Sequence, residues 1–135
     1  MNHHVEIMSN KKIIFATIGE KLSLSEWADV SRQIMDCINV LNGSVHVIVD
    51  MSQTKTHPLN TMEINRVTIW AKDPKIKTIN HITNNRMTSI LGELVISLVA
   101  NTYGSMQTRD EAFKRIVDSD PSIMQSAAHL MMEVQ

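Results

Sequence analysis

The sequence predicts an α/β fold: one domain on a mixed, mostly parallel sheet, with an N-terminal β-hairpin and covering helices. Three observations carry this expectation. Short β-branched runs alternate with stretches of helical period, and strands parted by helices need crossover connections, which favour parallel pairing. Val45 to Val49 is almost continuously apolar, as a strand buried on both faces of a helix-covered sheet reads. Near the N-terminus two strand-like runs are parted only by Ser9-Asn10-Lys11-Lys12, a polar break that suits a hairpin.

The elements follow in order. Val5 to Met8 and Ile13 to Ile18 are the hairpin strands, and Gly19 closes the second. Ser23-Leu24-Ser25-Glu26 is a capping box: the Ser23 hydroxyl takes an orphan amide while Glu26 reaches back. Behind it Trp27, Val30, Ile34, Ile38 and Leu41 recur at three to four residues, so a helix with one buried face is expected. Asn42-Gly43 should end it, because Gly accepts the left-handed conformation at a helix C-terminus.

After the Val45 to Val49 strand comes a polar loop, Asp50 to Lys55. Pro58 suits a helix start, having no amide to leave unpaired, and a helix from about Leu59 to Ala71 should stop at Asp73-Pro74. Lys77 to Thr83 reads as a strand. Asn84-Asn85 begins a further helix in which Ser89, Glu93, Ser97 and Asn101 form a polar stripe on an otherwise apolar cylinder. Tyr103-Gly104-Ser105 should break it, with Met106-Gln107 as a very short strand. Thr108 to Glu111 is a second capping box, opening a helix through about Val117. Asp120-Pro121 opens a last helix with Ile123, Ala127, Leu130 and Val134 as its apolar stripe. The expected division is an α/β domain over 1–118 and a C-terminal amphipathic helix over 119–135, packed on the domain or on a partner.

Composition narrows function by exclusion. Thirteen Lys plus Arg against fourteen Asp plus Glu leave a net charge of −1, which gives no general pull toward nucleic acid or anionic membrane. Aromatic residues make up only 4%, too few for a platform that stacks single strands. Cys37 stands alone, so neither an intrachain disulfide nor a thiolate zinc cluster is expected. The start lacks a cationic stretch followed by an apolar run, and the apolar window Ile90 to Ala100 is about half a membrane span and contains Glu93. A cytoplasmic protein with no cofactor and no bound metal is the expectation.

The best candidate site is the loop after Val45 to Val49. In open α/β sheets, ligands and partners meet the C-terminal ends of strands. Asp50-Met51-Ser52 lies at such an end, with His57 and Thr61 near in sequence. The competing reading is that Asp50 accepts loop amides and fixes the turn.

Val45-His46-Val47-Ile48-Val49-Asp50-Met51-Ser52 resembles the strand, Asp, apolar, Ser segment of STAS domains, the sulphate-transporter and anti-sigma-factor-antagonist family, and of the related SpoIIAA-like proteins. The opening hairpin, the long helix before this strand and the strand after Asp73-Pro74-Lys75 agree. Gln107-Thr108-Arg109-Asp110-Glu111-Ala112-Phe113 is similar to the start of a late helix in those proteins, so the likeness spans roughly residues 5 to 118. The resemblance implies a regulatory protein-protein interaction module rather than an enzyme, with a partner-binding surface at Asp50, Ser52, His57, Asn60 and Thr61. In phosphorylated relatives the acceptor serine sits in an Asp-Ser-Ser-Gly-like stretch; here that place falls near His57-Pro58-Leu59-Asn60, which has neither Ser nor Gly. Thr56 and Thr61 flank it as substitute phosphorylation candidates, against the plain reading of a Thr near a helix cap.

Other chemistry is thin. A receiver-type phosphoacceptor at Asp50 needs further carboxylates for a metal and a nearby Lys, and the first long strand ends in Ile18-Gly19-Glu20-Lys21, with one acid instead of a pair. Cys37 lies mid-helix among apolar neighbours without an identifiable base. His46 reads as a satisfied structural histidine, and His3-His4 lacks a third metal ligand. An alternative function is a carrier or sensor of a small apolar, lipid-like ligand, with Trp70, Ile90, Leu94 and Leu98 lining the pocket; plain core packing is the competing reading. The Met-rich C-terminal stripe, with Met124, Met131 and Met132, is a candidate homodimer contact.

Overall fold

A computed structural model of the chain describes residues 3–8, 12–85 and 103–123. Within them the order is β1 (His4–Met8), β2 (Ile13–Thr17), α1 (Leu24–Val40), β3 (Val45–Asp50), α2 (Thr61–Val67) and a 3-10 turn (Ile69–Lys72). Then come β4 (Ile76–Ile82), β5 (Tyr103–Met106), α3 (Arg109–Ser119) and a final 3-10 turn (Pro121–Ile123).

The strands form one sheet in the order β1-β2-β3-β4-β5. β1 and β2 pair antiparallel, as the hairpin predicts, and every later pair is parallel. The α/β class and the mostly parallel sheet therefore stand as expected. β3 lies at the centre with all six residues buried, which explains its unbroken apolar character: each face of the strand meets a covering layer.

Alternation along β3 divides the core in two. Val45, Val47 and Val49 join Ile14, Ala16 and Ile79 beneath α1, whose Trp27, Val30, Ile34 and Ile38 supply the facing surface. On the opposite face Ile48 joins Ile13, Phe15 and Ile82 beneath Ala112, Phe113 and Ile116 of α3. Each fully buried aliphatic side chain contributes about 1.5–3 kcal/mol, so both layers are tied to the one central strand. Trp27 and Trp70 meet edge to face, 6.3 Å apart at 67°, and each indole N–H has a partner: Trp27 Nε1 donates to Thr68 Oγ1 at 2.8 Å and Trp70 Nε1 to Ser31 Oγ at 3.1 Å.

Several boundaries differ from the sequence reading for physical reasons. The helix expected over 59–71 is divided: α2 ends at Val67 and a 3-10 turn follows. Thr68 makes the break, because its hydroxyl donates back to the Ile64 carbonyl while receiving the Trp27 indole. α1 ends at Val40, two residues before Asn42-Gly43, and its last carbonyls are taken by the Lys75 ammonium, which donates to Ile38 O at 3.2 Å and Leu41 O at 3.1 Å. Gly43 does adopt a positive φ of 82°, but in the turn beyond the helix.

Tyr103-Gly104-Ser105, expected as a helix breaker, belongs to β5. Gly104 is there because Arg115 crosses it: a Cβ would stand 2.6 Å from the guanidinium carbon. That guanidinium is held by Ile79 O at 2.8 Å and Asn80 Oδ1 at 3.0 Å. Asp120-Pro121 opens only a 3-10 turn within the described residues, with Ile123 buried under α3. Ile90, Leu94, Leu98 and the stripe from Met124 to Val134 lie outside the described residues. Among the described residues no helix is long and apolar enough to cross a membrane.

Candidate functional site

The site is built where β2 and β3 end together. Beyond Thr17 and Asp50 the two exit loops are joined by backbone: Ile18 donates to Asp50 O at 2.9 Å, Lys55 and Thr56 both donate to Glu20 O, and Leu22 donates to Thr56 O. The Thr54 hydroxyl adds a bond to Gly19 O at 2.9 Å, and Lys21 and Thr56 form an isolated parallel bridge. The polar residues that sequence marks as loop are thus a strapped shelf, with Gln53, Lys55 and Thr56 exposed on it.

Asp50 faces inward from this shelf. Its Oδ1 accepts the Ser52 amide at 3.0 Å, fixing the turn, and its Oδ2 accepts from Arg109 Nε at 3.0 Å. The carboxylate side chain is 5% exposed and the arginine 41%. Arg109 Cζ also lies over the Phe15 ring, 4.8 Å from its centroid, a cation-π contact. The turn-fixing role weighed for Asp50 is therefore present, and an ion pair to the first residue of α3 is added to it.

The remaining candidates stand outward. Ser52 and His57 are half-buried, and the His57 Nδ1–H donates to the Pro58 carbonyl at 2.8 Å, because a carbonyl can only accept. Asn60 is the N-cap of α2: its Oδ1 accepts the Glu63 amide at 3.1 Å. Thr61 is the first helical residue, and Thr56 is exposed at the loop edge. Beside them rise three apolar side chains that nothing in the fold covers among the described residues. Leu59 is 71% exposed, Met62 75% and Ile69 61%. Leu59 precedes α2, Met62 is its second residue, and Ile69 follows it in the 3-10 turn.

Beneath the shelf, on the α1 face, sits His81. It is buried at the end of β4, with Nδ1 2.8 Å from the Tyr103 hydroxyl and Nε2 3.1 Å from the Met51 sulfur. Burial pushes its pKa down to about 4, with the neighbouring His57 adding to the depression and Asp50 opposing it. At the other end of the sheet His46 is fully buried and, contrary to expectation, only half satisfied. Nδ1 is 2.6 Å from Thr78 Oγ1, while Nε2 has no hydrogen-bond partner and lies 3.6 Å from Asp120 Oδ2. Burial again lowers the pKa, with Asp120 acting in the opposite sense. The Thr78 hydroxyl also accepts from Asn80 Nδ2 at 3.0 Å. His3 is tied down too: its Nδ1 accepts the Gly19 amide and its Nε2–H donates to Glu26.

Arg109 is the residue that sequence reasoning missed as part of the site. The signal was present, since a cation in the first turn of a helix opposes the macrodipole and needs another partner to offset it. Trp70, named for an apolar pocket, lies in the core under α1 with its indole bonded to Ser31. Its companions Ile90, Leu94 and Leu98 fall outside the described residues.

No family model matches the sequence, and no curated protein matches it. Among solved structures the chain is similar to an uncharacterised protein of the DUF3478 family from Shewanella loihica PV-4, described as having a SpoIIAA-like fold. The TM-score is 0.60 at 7% sequence identity, and the match covers 83% of this chain and 90% of that one. So low an identity with so high a coverage speaks to architecture alone, and it agrees with the strand order and pairing described above. The chain has a SpoIIAA-like α/β fold.

Proposed function

We propose that this protein is a non-catalytic regulatory module that captures a protein partner through the shelf at the end of β3 and the segment that follows it. The observation that carries the reading is the exposed trio Leu59, Met62 and Ile69 beside the strapped loop. Large apolar side chains gathered on a polar-rimmed surface mark interaction sites, and a few such anchors supply most of an interface's binding energy. Ser52, His57, Asn60 and Thr61 form the polar rim, while Asp50 holds the loop in place from beneath. The side chains at 57–60 offer no serine to phosphorylate, which leaves the flanking Thr56 and Thr61 as the candidate acceptors.

Immobilised wild-type protein and the variants Met62→Glu, Leu59→Asp and Ser52→Arg test the reading side by side in a pull-down. All three changes sit on exposed or half-buried positions, so the circular dichroism spectrum should be unchanged. A band retained by wild type and lost with each variant supports the site. Equal capture by all four proteins would sink it.

A further inference from the structure

We infer that Asn42 is a self-modifying position, converting without an enzyme to aspartate and isoaspartate through a cyclic imide formed with Gly43. Three features place the reaction here. Asn42, Gly43 and Ser44 are all exposed in the turn between α1 and β3. Among the described residues neither the Asn42 side chain nor the Gly43 amide makes a hydrogen bond, so the nucleophile and the carbon it must reach are both unencumbered. Gly43 has no side chain to shield its nitrogen, and its φ of 82° lies in a region that glycine crosses freely.

Five other described asparagines lack this combination. Asn39 and Asn65 sit in α1 and α2, where Val40 and Arg66 follow them inside the helix. Asn60 is engaged as a helix cap. Asn80 is fully buried and bonded to Val47 O and Arg115. Asn84 is followed by Asn85, whose amide already donates to Thr83 Oγ1 at 3.1 Å.

The chemistry is a balanced acyl transfer with no redox step. The Gly43 amide gives its proton to solvent base and its nitrogen attacks Asn42 Cγ. The new C–N bond closes the imide, and the Cγ–NH2 bond breaks to release ammonia. Water then opens the imide at either carbonyl: one opening leaves aspartate, the other moves the main chain into the former side chain. The net change is water consumed, ammonia released and one negative charge gained. That charge appears one residue after Leu41, whose carbonyl accepts from the Lys75 ammonium. The extra methylene of isoaspartate lengthens a link between Leu41 and Val45, both buried. The turn lies at the start of β3, the opposite end from Asp50, so this inference stands or falls independently of partner capture.

The test is to hold the intact protein in warm, mildly alkaline buffer and follow it by peptide mapping with mass spectrometry and by isoaspartyl methylation. The mass gain of amide-to-acid conversion should collect in the peptide containing Asn42, several-fold faster than at any other asparagine. It should rise with alkalinity, show more isoaspartate than aspartate, and be lost in Asn42→Gln. Conversion at Asn84 as fast as at Asn42 would overturn the inference. So would a gain at position 42 without isoaspartate, because direct hydrolysis makes only aspartate.

Discussion

Arg109 Nε stands 3.0 Å from Asp50 Oδ2, joining the first residue of α3 to the last residue of the central strand. The pair spans the C-terminal edge of the sheet, and its two members differ in exposure, 5% for the carboxylate and 41% for the arginine. Removing the arginine leaves a buried charge without its counter-ion, which costs more than the pair itself contributes. Arg109→Ala should lower stability by about 2–3 kcal/mol, the solvent-exposed arginine keeping the figure below that of a fully buried pair. Asp50→Asn should cost less, because an amide oxygen can still accept the Ser52 N–H. Urea unfolding of the two variants checks the order.

Acid should destabilise the fold through its buried histidines. The His81 pKa drops from 6.5 in the unfolded chain to about 4 in the folded one, so between these values the unfolded chain binds the proton and the folded one does not. Stability is then complete above about pH 6.5 and falls as pH drops toward about 4, by about 3 kcal/mol in all from this group. His46 shifts in the same direction and adds to the loss. Denaturant midpoints measured across this range should decline with acid, and the slope should flatten in His81→Gln.

Gly104 is required by its neighbour rather than by its own backbone. A methyl group there would displace the Arg115 guanidinium from Ile79 O and Asn80 Oδ1. Gly104→Ala should therefore cost about 1–3 kcal/mol through lost charged hydrogen bonds. Pairing it with Arg115→Met should relieve most of the clash, and a double-mutant cycle on thermal midpoints reads the coupling.

Ser23 and Glu26 close the reciprocal cap of α1, with Glu26 N donating to Ser23 Oγ at 3.1 Å and Ser23 N to Glu26 Oε1 at 2.9 Å. Ser23→Ala should cost about 1 kcal/mol, and Ser23→Asp should restore most of it. Calorimetric midpoints distinguish the two.

What could be read in the sequence was what local pattern encodes. The apolar run of β3, the Ser23 cap and the period of α1 are properties of neighbouring residues, and each appears where expected. The Thr108 cap appears as well, though Glu111 turns its carboxylate to the Thr108 hydroxyl rather than to the backbone. The misplaced boundaries depend on distant partners. α2 stops at Val67 because Thr68 meets Trp27, forty-one residues earlier, and β5 runs through Gly104 because Arg115 passes above it. Asp50 was legible as a residue at a strand end, but its turn inward was not, since Arg109 and Phe15 come from two other elements. His81 went unnoticed for a similar reason: nothing in Ile-Asn-His-Ile shows that Tyr103 and Met51 will enclose the ring.

The backbone stitching between Glu20 and the segment Lys55–Thr56 has an energetic corollary. A docking ledge that is already rigid surrenders little motional freedom when something lands on it. Were a partner captured there as proposed, association would proceed at the pace of correctly oriented encounters instead of waiting for a loop to rearrange, and discrimination among visitors would rest on steric fit.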